Sequence, residues 1–163
     1  MEHIERSAVI SSCGNYRYRL DRVWDKTLPK AMFIMLNPST ADGEQDDATI
    51  RRCIGFAKSW GYGGLMVGNV FAFRSTKPEY LYEAHDPIGK FNQDHLNQMY
   101  MESAIVVCAW GNGKLIENIS KVINDYNPLS GFIGHLHYLE LSKDGIPKHP
   151  LYLRKTLKPI KHE

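Results

Sequence analysis

The sequence predicts an α/β domain. It is read as a three-layer sandwich with a central, mostly parallel four-stranded sheet flanked by helices, plus an N-terminal β-hairpin. Two observations carry that prediction. Continuous apolar runs recur at residues 31–36 (AMFIML), 65–70 (LMVGNV) and 104–109 (AIVVCA), and a strand apolar on both faces belongs in a sheet covered on both sides. Segments of helical periodicity separate these runs, and strands alternating with amphipathic helices imply right-handed β-α-β units. At 163 residues, 43% hydrophobic and 23% charged, the chain reads as one globular domain over 1–163, neither disordered nor of low complexity.

The elements follow in order. Residues 8–10 and 16–24 form the hairpin around the Ser12-Cys13-Gly14-Asn15 turn. In its second arm Tyr16, Tyr18 and Leu20 alternate with Arg17, Arg19 and Asp21, the period of a half-exposed strand. The first buried strand ends at Asn37-Pro38, and the polar loop after it, residues 39–47, offers nothing suited to a core. Asp46 or Asp47 then caps a helix that runs to Trp60 and stops at Gly61. Ile50, Cys53, Ile54, Ala57 and Trp60 make its buried stripe, leaving Arg51, Arg52 and Lys58 outside it. Residues 78–101 are mostly helical, with a break near Asp86-Pro87. Leu115, Ile116, Ile119, Val122, Ile123 and Tyr126 mark the cleanest amphipathic helix, ended by Asn127-Pro128. Residues 132–136 make a fourth strand, and the tail after Tyr138 reads as loop.

Several function classes drop out. No apolar stretch approaches the roughly 18 residues that cross a bilayer, so no membrane association is expected. The first ten residues carry acids and lack an apolar h-region, so the expected compartment is the cytoplasm. Three widely spaced cysteines, Cys13, Cys53 and Cys108, make no disulfide framework or C-x-x-C pair and read as buried small hydrophobes. No G-x-G-x-x-G, P-loop, G-x-S-x-G or H-E-x-x-H is present. The acids Asp42, Glu44, Asp46 and Asp47 lack the glycine and terminal Glu of a calcium loop, so capping and solvated charge explain them. No metal or other cofactor is expected. Net charge is +2, and residues 143–163 hold six basic residues against two acidic, which leaves the rest of the chain at −2. That tail is either a phosphate-attracting segment or a solvated end.

In an open α/β sheet, ligands bind beyond the carboxyl ends of the strands. This rule selects Asn37-Pro38-Ser39-Thr40, Asn69, Trp110-Gly111 and, in the basic tail, Lys148-His149-Pro150. Each has an ordinary reading as well: Asn-Pro as a turn, His149 as a surface histidine. Asn69 is the sharper case, since an amide in an apolar strand needs partners or costs a few kcal/mol, about 1–3 by mutational data.

Taken in order, these segments resemble the uracil-DNA glycosylase superfamily. MLNPST (residues 35–40) is similar to the Gly-x-Asn-Pro motif of its mismatch-specific and single-strand-selective branches, with Asn37-Pro38 at the matching position. VGNVFAF (67–73) resembles the strand whose asparagine bonds the flipped base, VVCAWG (106–111) its Leu-Leu-Trp-Gly-like segment, and KHPLYLR (148–154) its His-Pro-Ser loop. The departures are Met35 in place of glycine, Leu151 in place of serine, and Asn37 where the classical branch has a water-activating aspartate. The segments LNPSTAD, DDATIRRCIGFAKSWGYGGL, VCAWG and SKDGIPKHPLYL also closely resemble a bacterial and phage family of unknown function (domain of unknown function 1643), which brings no assigned activity.

The superfamily resemblance implies a hydrolase that cleaves the N-glycosidic bond of a flipped, damaged or modified base in single-stranded, mismatched or modified DNA. It implies that Asn69 reads the base, with an aromatic near the first motif, or Phe71 or Phe73, stacking on it. His149 donates to the base oxygen that gains charge, and Asn37 holds the attacking water, with Asp42 or another nearby carboxylate as base. Ser39, Thr40, Trp110, Gly111, Lys148 and Arg154 hold the phosphates. Two other classes stay open: an N-glycosidase on free nucleosides or nucleotides, and a non-catalytic binder of nucleic acid or modified bases.

Overall fold

The computed structural model describes residues 2–123, 126–132 and 134–162. Seven strands form one mixed sheet: β1 (Glu5–Ile10), β2 (Arg17–Val23), β3 (Lys30–Met35), β4 (Gly64–Asn69), β5 (Ile105–Cys108), β6 (Leu136–Tyr138) and β7 (Ile160–Lys161). Their spatial order is β1-β2-β4-β3-β5-β6-β7. Pairings within β4-β3-β5-β6 are parallel, and the other three, β1 with β2, β2 with β4 and β6 with β7, are antiparallel. This corrects the expected four-stranded, mostly parallel sheet. The hairpin does not stand ahead of the sheet but joins it, with Leu20 opposite Val67 and Val23 opposite Gly64. The tail, expected as loop, returns to add β7, His137 lying opposite Lys161. Both outer edges of the parallel block are thereby paired, and unpaired edges are a liability. Two exposed residues carry no periodicity, which is why β7 escapes a reading of local pattern.

Helix α1 (Ala48–Ser59) begins at Asp47, whose Oδ1 accepts the Ile50 N–H at 2.9 Å, and ends against Gly61. Helices α2 (Asn92–Glu102) and α3 (Gly113–Val122) follow β4 and β5. The period of two in β3 assigns the layers. Ala31, Phe33 and Met35 pack with Ile50, Cys53, Phe56 and Ala57 of α1. Met32 and Ile34 pack with Leu96 and Met99 of α2 and with Leu115 and Ile119 of α3. Each such fully buried side chain contributes about 1.5–3 kcal/mol. Gly68 lets α2 come close, since a Cβ there would sit 2.7 Å from a Leu96 methyl.

Several local expectations need correction. Cys13 is exposed in the hairpin turn, whereas burial pushes the Cys108 thiol up to about 12 and the buried Cys53 thiol up as well. Ala41, in the loop thought to hold nothing for a core, is 1% exposed and packs under α1. Phe132 closes a short 3-10 turn (Ser130–Phe132), so the strand expected over 132–136 lies later, at β6; Ile133 falls outside the described residues. The side chain of Val122, in the α3 stripe, also lies outside the described residues. In the expected helix over 78–101 only a 3-10 turn (Pro78–Tyr82) and α2 are helical. No helix among the described residues is long and apolar enough to cross a membrane.

Arg17, which the alternation places on the exposed side of its strand, is buried, and so is Arg22. Arg22 is held by Asp46 Oδ1 at 2.7 Å and by the carbonyls of Asp42 and Gln45. The fate of Arg17 follows from a register shift. Val9 pairs with Arg19 and Ile10 with Arg17, which leaves Tyr18 between them without a partner. Such a bulge re-aims side chains. Tyr18 stacks on His95 of α2 and Arg19 reaches Glu102 on the same side, while Arg17 turns to the α1 side and donates to the Ala41 carbonyl at 3.0 Å.

Candidate functional site

The connections decide where a ligand fits. The chain leaves β3 toward the α1 face and leaves β5 toward the face covered by α2 and α3. Neighbouring strands whose exits part in this way open a crevice at their carboxyl ends. A cleft of about 370 Å³ lies there. Its walls include Met35 at the end of β3, Asn37, Pro38 and Ser39 just after it, Asn69 at the end of β4, Trp110 after β5, and His149 from the tail. Arg17 and Asp47 complete it.

Asn69 is 0% exposed, and neither its Nδ2 nor its Oδ1 has a hydrogen-bond partner. A buried amide without partners costs about 1–3 kcal/mol. Its backbone, by contrast, is secured: Asn92 Nδ2 donates to the Asn69 carbonyl at 2.9 Å and to that of Val70 at 3.2 Å. Tyr126 Oη donates to the same Val70 carbonyl at 2.7 Å. The end of β4 is therefore held rigidly while the Asn69 side chain is left unpaired.

Asn37 is oriented by the segment that runs on from β4. Its Nδ2 donates to the carbonyls of Pro38 at 3.1 Å and Ser75 at 3.0 Å. With the amide nitrogen committed to carbonyls, Oδ1 is the acceptor left for a ligand or water. His149 sits at the rim, its Nδ1 accepting the Leu151 N–H at 3.2 Å. The neutral ring then carries its proton on Nε2, as a donor. The protein crowding the ring disfavours its charged form and lowers its pKa, against the pull of Asp47.

Gly111 docks that histidine segment onto the end of β5. Its φ is +75°, and a Cβ there would lie 3.1 Å from His149 Cβ and 3.3 Å from its backbone nitrogen. Its own N–H is spent on the Pro147 carbonyl at 2.9 Å, so it is not available to a phosphate.

Several other predicted residues are not brought to the cleft. Asp42 turns its carboxylate back to the N–H groups of Gln45 and Glu44, which hold it below the usual carboxylate range. Phe71 is buried in the core against Tyr126, and Phe73 packs edge-on to Tyr16. The aromatic in the cleft wall is Trp110. Thr40 borders a shallow hollow with Asn15 and Arg74, Lys148 pairs with Glu140, and Arg154 is exposed on the surface. Of the phosphate-binding set, Ser39, Trp110 and Gly111 reach the cleft.

Two residues in the cleft escaped sequence reasoning as site residues. Arg17 is 3% exposed with its Nε unpartnered, and burial pulls its pKa down to about 10 against the opposing pull of Asp47. It stays a cation at neutral pH. Asp47 was legible as a helix cap, but its second role depends on where α1 points: it is the carboxylate that lines the cleft. Among the described residues no group of three or more His, Cys, Asp or Glu is placed to hold a metal ion.

No curated protein and no solved structure matches the chain. A family model does match, over residues 17–151, a span that holds the four strand-end segments, Arg17, Asp47 and His149. The chain belongs to the family described as Protein of unknown function (DUF1643).

Proposed function

We propose that the cleft is the base pocket of a DNA glycosylase-like hydrolase of the uracil-DNA glycosylase superfamily kind, acting in the cytoplasm on a base taken out of the stack. The observation that carries this reading is Asn69: an amide with donor and acceptor both unsatisfied, buried in the wall of a cleft at a strand end. A planar heterocycle presenting one acceptor and one donor on its edge satisfies both. The ordered convergence of Asn37, Asn69, Trp110 and His149 on one crevice supports the superfamily reading. Three unpaired thiols suit a reducing compartment.

The chemistry follows from what each group can do. Trp110 offers its ring to the base. As the C1′–N bond breaks, its electron pair passes to the base, and the His149 Nε2–H donates to the base oxygen that gains charge. Water held by Asn37 Oδ1 adds to C1′ and gives its proton to Asp47, whose Oδ1 is occupied by the cap and whose Oδ2 carries no hydrogen bond among the described residues. Arg17, in the lining, offers its unpartnered Nε–H to an acceptor oxygen of the base. The base leaves as its anion and takes up a proton as Asp47 gives up the one it received, so the products are the free base and an abasic site.

The test is an alkaline-cleavage assay in EDTA on labelled oligonucleotides carrying uracil, hypoxanthine, oxidised thymines, or hydroxymethylated or glucosylated cytosine, in single strands, matched duplexes and mismatches. An abasic product lost in Asn37→Ala and His149→Ala is the expected result. Oligonucleotide binding without product across the panel refutes the hydrolase.

A further inference from the structure

A second concavity runs along α1: a groove of about 260 Å³ lined by Arg51, Arg52, Gly55, Phe56, Ser59 and Lys155. Its two walls belong to elements that also border the cleft. On α1, Thr49 and Ile50 line the cleft, and Arg51 and Arg52 are the next two residues. On the opposite side His149 lines the cleft, and the same tail segment, through a 3-10 turn (Pro150–Tyr152) packed on α1, leads to Lys155.

The charge of the groove is one-sided, because no carboxylate lines it. Arg6, Arg19, Arg22, Lys26, Lys58, Lys121 and Lys148 are paired with acids, and Arg51, Arg52 and Lys155 are among the cations of the described residues that are not. Arg51 donates only to the backbone carbonyl of Asp46 at 3.2 Å. The Arg52 guanidinium lies 5.6 Å from the Phe56 ring centre, and its Nε is buried without a partner. Gly55 leaves the middle of the groove open, with nothing within 4 Å of where a Cβ would stand. Three neighbouring cations with no acid among them border an open apolar floor, a surface that suits an anion.

We propose that this groove holds the phosphodiester backbone of a nucleic-acid strand whose target nucleotide enters the cleft. The proposal rests on the cleft reading above and supplies its strand contact. At 1.5 Å per residue, the α1 wall of the groove from Arg51 to Ser59 is about 12 Å long, enough for a few nucleotides of a strand. The superfamily resemblance assigns phosphates to Ser39, Thr40, Trp110, Gly111, Lys148 and Arg154. The proposal moves the strand contact to Arg51, Arg52 and Lys155, which are distant in sequence and meet only where the tail packs on α1.

The experiment measures binding and not chemistry, so it stands apart from the base-excision assay. Affinity for a short fluorescent single-stranded oligonucleotide of ordinary bases is read against salt. For single strands the slope of log K on log[salt] is about −0.7 per phosphate neutralised. The triple variant Arg51→Gln, Arg52→Gln, Lys155→Gln should make that slope shallower by about 2. Arg51→Gln with Lys155→Gln, which leaves the partly buried Arg52 in place, should make it shallower by about 1.4. Lys26→Gln with Lys121→Gln removes two charges that are already paired with acids and should leave the slope where it was. Equal slopes for the Arg51/Lys155 and Lys26/Lys121 doubles overturn the proposal, as does absence of oligonucleotide binding by the wild-type protein. Binding with the expected slope changes, together with failure of base excision, upholds the track and removes the hydrolase.

Discussion

Replacing Asn69 with leucine separates a functional amide from a structural one. In the ligand-free protein both polar atoms of Asn69 are buried without partners, and the backbone around it is held by Asn92 and Tyr126 rather than by its own side chain. Leucine has nearly the same shape and no polar atoms, so the substitution removes a desolvation cost of about 1–3 kcal/mol and adds none. In a chain of this length each kcal/mol moves Tm by about 2–4 °C. Thermal unfolding of Asn69→Leu should therefore show a Tm several degrees above wild type. The same variant loses two hydrogen bonds to the base and leaves the base's own groups unpaired, about 1–3 kcal/mol each. At tenfold per 1.4 kcal/mol, kcat/KM should fall by about a hundredfold or more. Higher stability with lost function is the signature of a group kept for its ligand. A lower Tm would show that Asn69 supports the fold, and unchanged excision would remove it from the site; either refutes the reasoning.

Other substitutions test the supporting geometry. Asn37→Asp, which restores the aspartate of the classical branch, should lower activity further: a carboxylate cannot donate to the Pro38 and Ser75 carbonyls, and stability should drop by about 1–3 kcal/mol. A gain in turnover would refute that. Gly111→Ala places a side chain at φ +75° and against His149, so denaturant unfolding should show a loss of at least about 1–2 kcal/mol with reduced excision; a neutral variant would mean that His149 is not docked there. His149 should give kcat/KM a plateau above the ordinary histidine value of 6.5 and a fall on acidification, because a protonated Nδ1 confronts the Leu151 N–H. Its lowered pKa means that the unfolded chain takes up the proton first. The stabilising contribution is complete above 6.5 and is lost as pH falls through the lower folded value. A profile unaltered in His149→Gln would exclude the ring as the source.

Much of this molecule was legible in its sequence because the information is local. The buried strands β3, β4 and β5, the α1 stripe with a cap at Asp46 or Asp47, and the strand-end positions of Asn37, Asn69 and Trp110 follow from periodicity, capping chemistry and the binding rule for open sheets. What the tertiary structure alone decided is pairing and direction. The antiparallel joining of β2 to β4 and of β7 to β6 depends on residues far apart in the chain, and β7 is too short to leave a pattern. One unpaired residue, Tyr18, reverses the facing of Arg17 and puts a buried cation into the cleft, where simple alternation would leave it in solvent. Acids at 42 and 47 look alike in a polar loop. Only the turn at Asp42, which folds its carboxylate onto its own backbone, and the axis of α1 leave Asp47 as the one in the cleft. Composition and spacing state which groups a chain owns, while hydrogen-bond partners and facing emerge only when distant segments meet.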